Sequence, residues 1–241
     1  MSLWNGYEIK ELEFEGFPAF VVFPEKANKK RSFAIKTEYW GAFPEAEIKL
    51  LSEGYHLLFI KNVNRWGTSD DVDRKARFIK WAQSEYSLSL GVPVGMSCGG
   101  IFAVKLAAKY PELFFCVYVD APVVNYMSCP CGFGSGNPLS ANYLDEILPA
   151  LGLKNLSELL AYRDMPLDNV PSLIESKLPL ILVAGDSDTV VPFNENGYFI
   201  QKAYEAASLP FELYIKEGCA HHPHGLGDSS KIVDFIRKNE K

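Results

Sequence analysis

A chain of 241 residues, 48% hydrophobic and 22% charged, has the balance of an ordinary globular protein and enough length to bury one large core. Its formal net charge of -6 argues against a nucleic-acid partner, because phosphate binding draws on a concentrated basic surface. Five cysteines, an odd number in a chain this long, exclude the disulfide framework of a small secreted domain and point to a reducing compartment.

The first residues carry Glu8, Lys10 and Glu11, so they lack a basic segment followed by an unbroken apolar stretch. No apolar run reaches the roughly 20 residues that span a bilayer. The expectation is a cytoplasmic protein with no membrane partner. Glu11–Glu15 and Ala19–Phe23 read as an opening hairpin turning at Gly16-Phe17-Pro18, and Ser32–Trp40 as a further strand. The basic run Lys29-Lys30-Arg31 before it reads as a solvated loop.

Pro44–Ser52 predicts a helix closed by Gly54, and Tyr55–Val63 an apolar strand. Apolar residues at Val72, Ala76, Ile79 and Ala82 predict a helix over Asp70–Glu85, with Ser69 or Asp70 as N-cap. Val92–Met96 is a short buried strand followed at once by Ser97-Cys98-Gly99-Gly100 and a helix, Ile101–Tyr110, stopped by Pro111. Phe114–Val119, Leu178–Ala184 and Phe211–Ile215 are strands, and Ser230–Lys238 is a closing helix.

Between Asp120 and Leu178 the alternation breaks. Residues from about Ser128 to Asn137 are rich in Gly, Pro and Cys, and Ala141–Arg163 reads as helical. A stretch this long is more than a crossover needs, so residues 125–176 are expected to form a small cap inserted into a single domain spanning 1–241. The alternation as a whole predicts an α/β fold: a mostly parallel twisted sheet with helices on both faces. Ligands in such sheets bind beyond the carboxyl ends of the strands.

Gly95-Met96-Ser97-Cys98-Gly99, between a strand and a helix, has the form of a nucleophile elbow, where small flanking residues let a sharp turn present the serine hydroxyl. A serine needs a base, and the base an orienting acid. The turn after Leu178–Ala184 offers Asp186 and Asp188; Asp188 is assigned as the acid, because Asp186 sits where a turn Asp commonly bonds its own backbone. The base is expected after the last strand, in Gly218-Cys219-Ala220-His221-His222-Pro223-His224-Gly225, with His221 preferred and His222 next. His56, the remaining histidine, heads an apolar strand and reads as structural.

His221, His222 and His224 also invite a Zn²⁺ site, but Pro223 stiffens the loop and no adjoining carboxylate or cysteine pattern completes one. No metal or other cofactor is expected. Cys98 starts a helix rather than occupying the elbow, and Cys129-Pro130-Cys131 lacks the usual C-x-x-C spacing. The developing oxyanion calls for two donors: the Cys98 N–H, and an amide from the turn Trp40-Gly41-Ala42, with Trp40 and Gly41 as candidates. Trp66, Tyr126 and Met127 are candidate substrate contacts.

With Gly95–Gly100, Gly185-Asp186-Ser187-Asp188-Thr189-Val190-Val191-Pro192 and Gly218-Cys219-Ala220-His221, the chain resembles the α/β-hydrolase superfamily. Trp40–Pro44, Asp120-Ala121-Pro122-Val123 and the His-His-Pro-His run resemble a bacterial esterase-like branch associated with carbohydrate-active enzymes. The resemblance implies that Ser97 attacks an ester carbonyl, His221 takes its proton, Asp188 holds His221, and water then hydrolyses the acyl-enzyme. The expected partner is a small ester, such as an acylated carbohydrate. A serine peptidase or thioesterase of the same fold, and a non-catalytic binder that kept it, are the alternatives. The peptidase ranks lower because no propeller or other substrate-excluding domain is read beside the catalytic residues.

Overall fold

The computed structural model describes residues 2–129, 131–136 and 143–240. Its nine strands are β1 (Ser2–Trp4), β2 (Tyr7–Phe14), β3 (Phe17–Val22), β4 (Phe33–Lys36), β5 (His56–Ile60), β6 (Gly91–Met96), β7 (Val117–Asp120), β8 (Leu180–Gly185) and β9 (Phe211–Lys216). They form one sheet in the order β1-β2-β3-β5-β4-β6-β7-β8-β9. The pairs from β5 to β9 are parallel and the first three strands are antiparallel. This is the α/β-hydrolase fold.

Period-two alternation within the central strands sorts their side chains to two helical layers. Phe33 and Ile35 of β4, with Leu180 and Leu182 of β8, face one core, which holds α2 (Ser69–Tyr86), α3 (Gly99–Lys109), α6 (Pro166–Glu175) and α7 (Gly197–Ala207). Ala34, Ile181 and Val183 face the other core, covered by α1 (Glu45–Ser52) and α8 (Ser230–Asn239). Burial on both faces explains why these strands read as continuous apolar runs.

Several boundaries differ from the sequence expectation for identifiable reasons. The opening hairpin turns on two residues, Glu15 and Gly16, both at positive φ, rather than on Gly16-Phe17-Pro18. Pro18 is therefore paired within β3, opposite Glu13. The N-cap of α2 is Thr68, whose hydroxyl accepts from the Asp71 N–H, and not Ser69 or Asp70. The stretch between β7 and β8 holds α4 (Tyr143–Ala150) and α5 (Leu156–Ala161) in place of one long helix, followed by α6. Pro130 and residues 137–142, which belong to the expected cap, and the start of the expected helix at Ala141 lie outside the described residues. Among the described residues no helix is long and apolar enough to cross a membrane.

Candidate active site

Ser97 follows β6 directly and has φ of 52°, a left-handed conformation that a side chain tolerates only when its surroundings enforce it. Two features enforce it here. The Ser97 N–H donates to the Asp120 carbonyl at 2.9 Å, and α3 packs so closely under the turn that a Cβ on Gly95 would lie 2.5 Å from the Gly99 carbonyl oxygen. Gly95 is thus required by close approach of backbone to backbone.

Asp188 lies in the turn after β8, and His221 in the loop after β9. Gly185 brings the two loops together, because a Cβ there would collide with the carbonyls of Cys219 and Ala220. The His221 Nδ1 donates to Asp188 Oδ2 at 2.7 Å, and its Nε2 accepts from the Ser97 hydroxyl at 3.0 Å. The other oxygen of Asp188, Oδ1, accepts from the Val190 and Val191 amides, each at 2.8 Å. Burial pushes the Asp188 carboxyl up, but the hydrogen bond from His221 and the two amides outweigh it and hold the group below the usual carboxylate range. Asp186, the alternative acid, faces solvent and accepts from the Ser187 hydroxyl.

These side chains open on a cavity of about 240 Å³. Tyr39, Phe43, Trp66, Cys98, Tyr143 and Val190 supply much of its wall, and Arg65 reaches it from one side. The Arg65 guanidinium is spoken for: it pairs with Glu146 at 2.6 Å and lies over the rings of Trp66 and Tyr143. Of the three expected substrate contacts, only Trp66 lines the cavity. Tyr126 is fully buried behind it, with its hydroxyl donated to the Trp66 carbonyl at 2.7 Å, and Met127 packs into the core without reaching the cavity.

Trp40 and Gly41, whose amides are the candidate oxyanion donors, do not line the cavity. With Tyr39 and Gly41 both at positive φ and the Ala42 N–H donated to the Tyr39 carbonyl, the loop sends the Trp40 indole against Trp4, Phe20 and Phe59. The cavity is lined instead by Tyr39, Ala42 and Phe43. The Cys98 N–H, at the start of α3, finds no acceptor among the described residues. Burial pushes the Cys98 thiol up, away from the thiolate form a sulfur nucleophile would need. All five cysteines are free thiols.

Two residues at or beside the cavity lie beyond the site residues expected from sequence. Tyr39 is a half-buried phenol that lines the cavity with Cys98 and Ser97, pushed up by burial and by the neighbouring thiol. Asp120, at the carboxyl end of β7, accepts from His224 Nδ1 at 2.7 Å and from the Gly225 N–H at 2.6 Å. A carboxylate ending a buried parallel strand is a legible signal of a site, since ligands gather at that edge.

A family model for the prolyl oligopeptidase family matches residues 60–240, a span that contains Ser97, Asp188 and His221. The chain belongs to the prolyl oligopeptidase family. Its fold is that of the α/β-hydrolases, and Ser97, His221 and Asp188 form one hydrogen-bonded chain within it. Among solved structures, this family member is similar to Porphyromonas gingivalis dipeptidyl peptidase 4 at 15% identity and a TM-score of 0.70, covering 99% of this chain and 36% of that one. It is also similar to the Pyrococcus horikoshii acylaminoacyl peptidase, at 14% identity and a TM-score of 0.67, covering 89% and 37% of the two chains. A puromycin-hydrolyzing peptidase of Mycobacterium tuberculosis matches at 15% identity and a TM-score of 0.69, covering 96% and 39%. The chain therefore spans under two fifths of the length of these structures. No curated protein matches its sequence. These neighbours are peptidases, whereas the motif resemblance led toward carbohydrate-associated esterases; the nucleophile, acid and base motifs are shared chemistry and do not encode the leaving group.

Proposed function

We propose that this prolyl oligopeptidase family member hydrolyses an amide or peptide bond through an acyl-enzyme on Ser97. The observation that carries the reading is the continuous Asp188–His221–Ser97 hydrogen-bond chain, at 2.7 and 3.0 Å, opening on a mainly apolar cavity. Family membership and the peptidase neighbours support an amide over the ester expected from sequence.

In this scheme the Ser97 oxygen attacks the carbonyl carbon while its proton passes to His221 Nε2, and Asp188 stabilises the imidazolium that forms. The tetrahedral oxyanion takes hydrogen bonds from the Cys98 N–H and the Tyr39 hydroxyl, the two donors we assign to it. His221 then gives its proton to the departing amine as the C–N bond breaks. Water, deprotonated by the same nitrogen, attacks the acyl carbon, and the proton returns to Ser97 as the free acid leaves. A cavity of about 240 Å³ is smaller than the roughly 300–1,000 Å³ of sites for drug-sized ligands, which suits one apolar side chain on the acyl side, against Trp66 and Tyr143.

The test is a panel of aminoacyl p-nitroanilides with graded apolar side chains, run beside the matching p-nitrophenyl esters. Anilide cleavage is expected to depend on side-chain size and to disappear in Ser97→Ala. Turnover confined to the esters would return the assignment to a carboxylic-ester hydrolase.

A further inference from the structure

The loop after β9 brings three imidazoles together beside Ser97. Ring centroids are 4.8 Å apart for His221 and His222, 5.0 Å for His221 and His224, and 5.0 Å for His222 and His224. One ring nitrogen from each lies within 4.8 Å of the other two. A tetrahedral ion bound by three imidazoles at about 2.0–2.1 Å sets their nitrogens roughly 3.4 Å and their ring centres roughly 5 Å apart. The ring spacing is already that of such a site, and binding would draw the ring nitrogens closer together.

In sequence, Pro223 stiffens the loop and no adjoining carboxylate or cysteine pattern completes such a site. The fold supplies two carboxylates, Asp120 at the end of β7 and Asp188 in the turn after β8. Asp188 accepts from His221 Nδ1 and Asp120 accepts from His224 Nδ1, each at 2.7 Å, which leaves the lone pair of both rings on Nε2. Asp120 is itself held by the Gly225 amide and by the Tyr118 hydroxyl at 3.2 Å. Carboxylate-backed histidines of this kind are the outer shell that orients ligands in zinc sites. The third ring, His222, is exposed, stacks on Phe43 at 5.5 Å, and has no ring hydrogen bond among the described residues.

We propose that His221, His222 and His224 form a Zn²⁺ site that switches the hydrolase off. Three neutral imidazoles with one open position suit this ion. Zn²⁺ on His221 Nε2 occupies the lone pair that otherwise accepts the Ser97 proton, so the bound enzyme keeps its fold and loses its base. Metal binding stands on the histidine geometry alone, whereas the inhibition rests on the proposed role of Ser97.

The full chain is titrated with ZnCl₂ by calorimetry and with Co²⁺ by visible absorption, and Ser97 is probed in parallel with a fluorophosphonate. One ion per chain is expected, with the tetrahedral Co²⁺ spectrum. His222→Ala, a change at an exposed side chain, weakens the Kd at least 10-fold, and Asp120→Asn weakens it about 10–100-fold. Probe labelling falls in step with zinc occupancy and returns on adding EDTA. Absence of saturable binding, or a Kd unchanged in His222→Ala, overturns the site. Labelling that persists at full zinc occupancy overturns the switch. Saturable zinc binding in a folded protein that never labels, with or without metal, leaves the metal site standing and removes the hydrolase reading.

Discussion

Replacing Asp188 by Asn tests the orientation of the base, and the structure fixes how the new side chain must sit. Oδ1 accepts two amides, from Val190 and Val191, while Oδ2 faces His221 Nδ1. An amide group can satisfy the two backbone donors only with its carbonyl oxygen, so its NH₂ is turned toward His221. That donor forces the lone pair of His221 onto Nδ1 and the proton onto Nε2, which then points a hydrogen at Ser97 and cannot receive one. The expected loss is about 10⁴-fold in kcat, or roughly 5 kcal/mol of transition-state stabilisation, with little change in KM or Tm because the turn keeps its hydrogen bonds. Steady-state kinetics on the best p-nitroanilide, with thermal melts as a control for folding, measure both. A loss below 10-fold in kcat would refute the claim that Asp188 sets the tautomer of His221.

Removing the Tyr39 hydroxyl with Tyr39→Phe leaves the ring in the cavity wall and deletes one assigned oxyanion donor. The expected result is a fall of about 10²–10³ in kcat at nearly constant KM, and a change confined to KM would count against the assignment. His56 is pushed down to about 4 by burial and, after it, by nearby Arg31, so the unfolded chain, with its ordinary value near 6.5, binds that proton more readily. Its contribution to stability is therefore complete above pH 6.5 and is lost as pH falls from 6.5 toward 4. Urea melts across that window should show a stability slope smaller by close to one proton in His56→Phe than in wild type; parallel slopes would contradict it.

The central strands were legible because burial on both faces leaves little but apolar residues in β5, β6 and β8. Elements stabilised by other means were not. Three-residue β1 sits at the sheet edge, α6 carries Pro166 and Pro171, and α7 starts from Asn196 without a side-chain cap. The Asn196 side-chain oxygen is instead taken by the Val124 and Asn125 amides, so the residue joins two distant loops. Ser97, Asp188 and His221 could be singled out because each follows a strand end, and the fold brings the three within hydrogen-bonding distance.

The pocket was less legible for a different reason. The direction of a loop side chain depends on individual backbone angles, and with Tyr39 and Gly41 at positive φ the loop sets Tyr39 in the cavity wall and packs Trp40 on Trp4, Phe20 and Phe59. Tyr126 and Met127 were misplaced similarly, since proximity in sequence to the cap does not distinguish the lining of a cavity from the layer behind it. Asp120 and His224 are separated by more than a hundred residues, and only sheet order makes them neighbours.

Adduct mapping after reaction with a fluorophosphonate probe tests directly whether Ser97 is the nucleophile. Intact-mass and peptide analysis should find one adduct per chain, on Ser97, retained in Cys98→Ser and absent in Ser97→Ala. An adduct on another residue, or none on the folded wild-type chain, would contradict it.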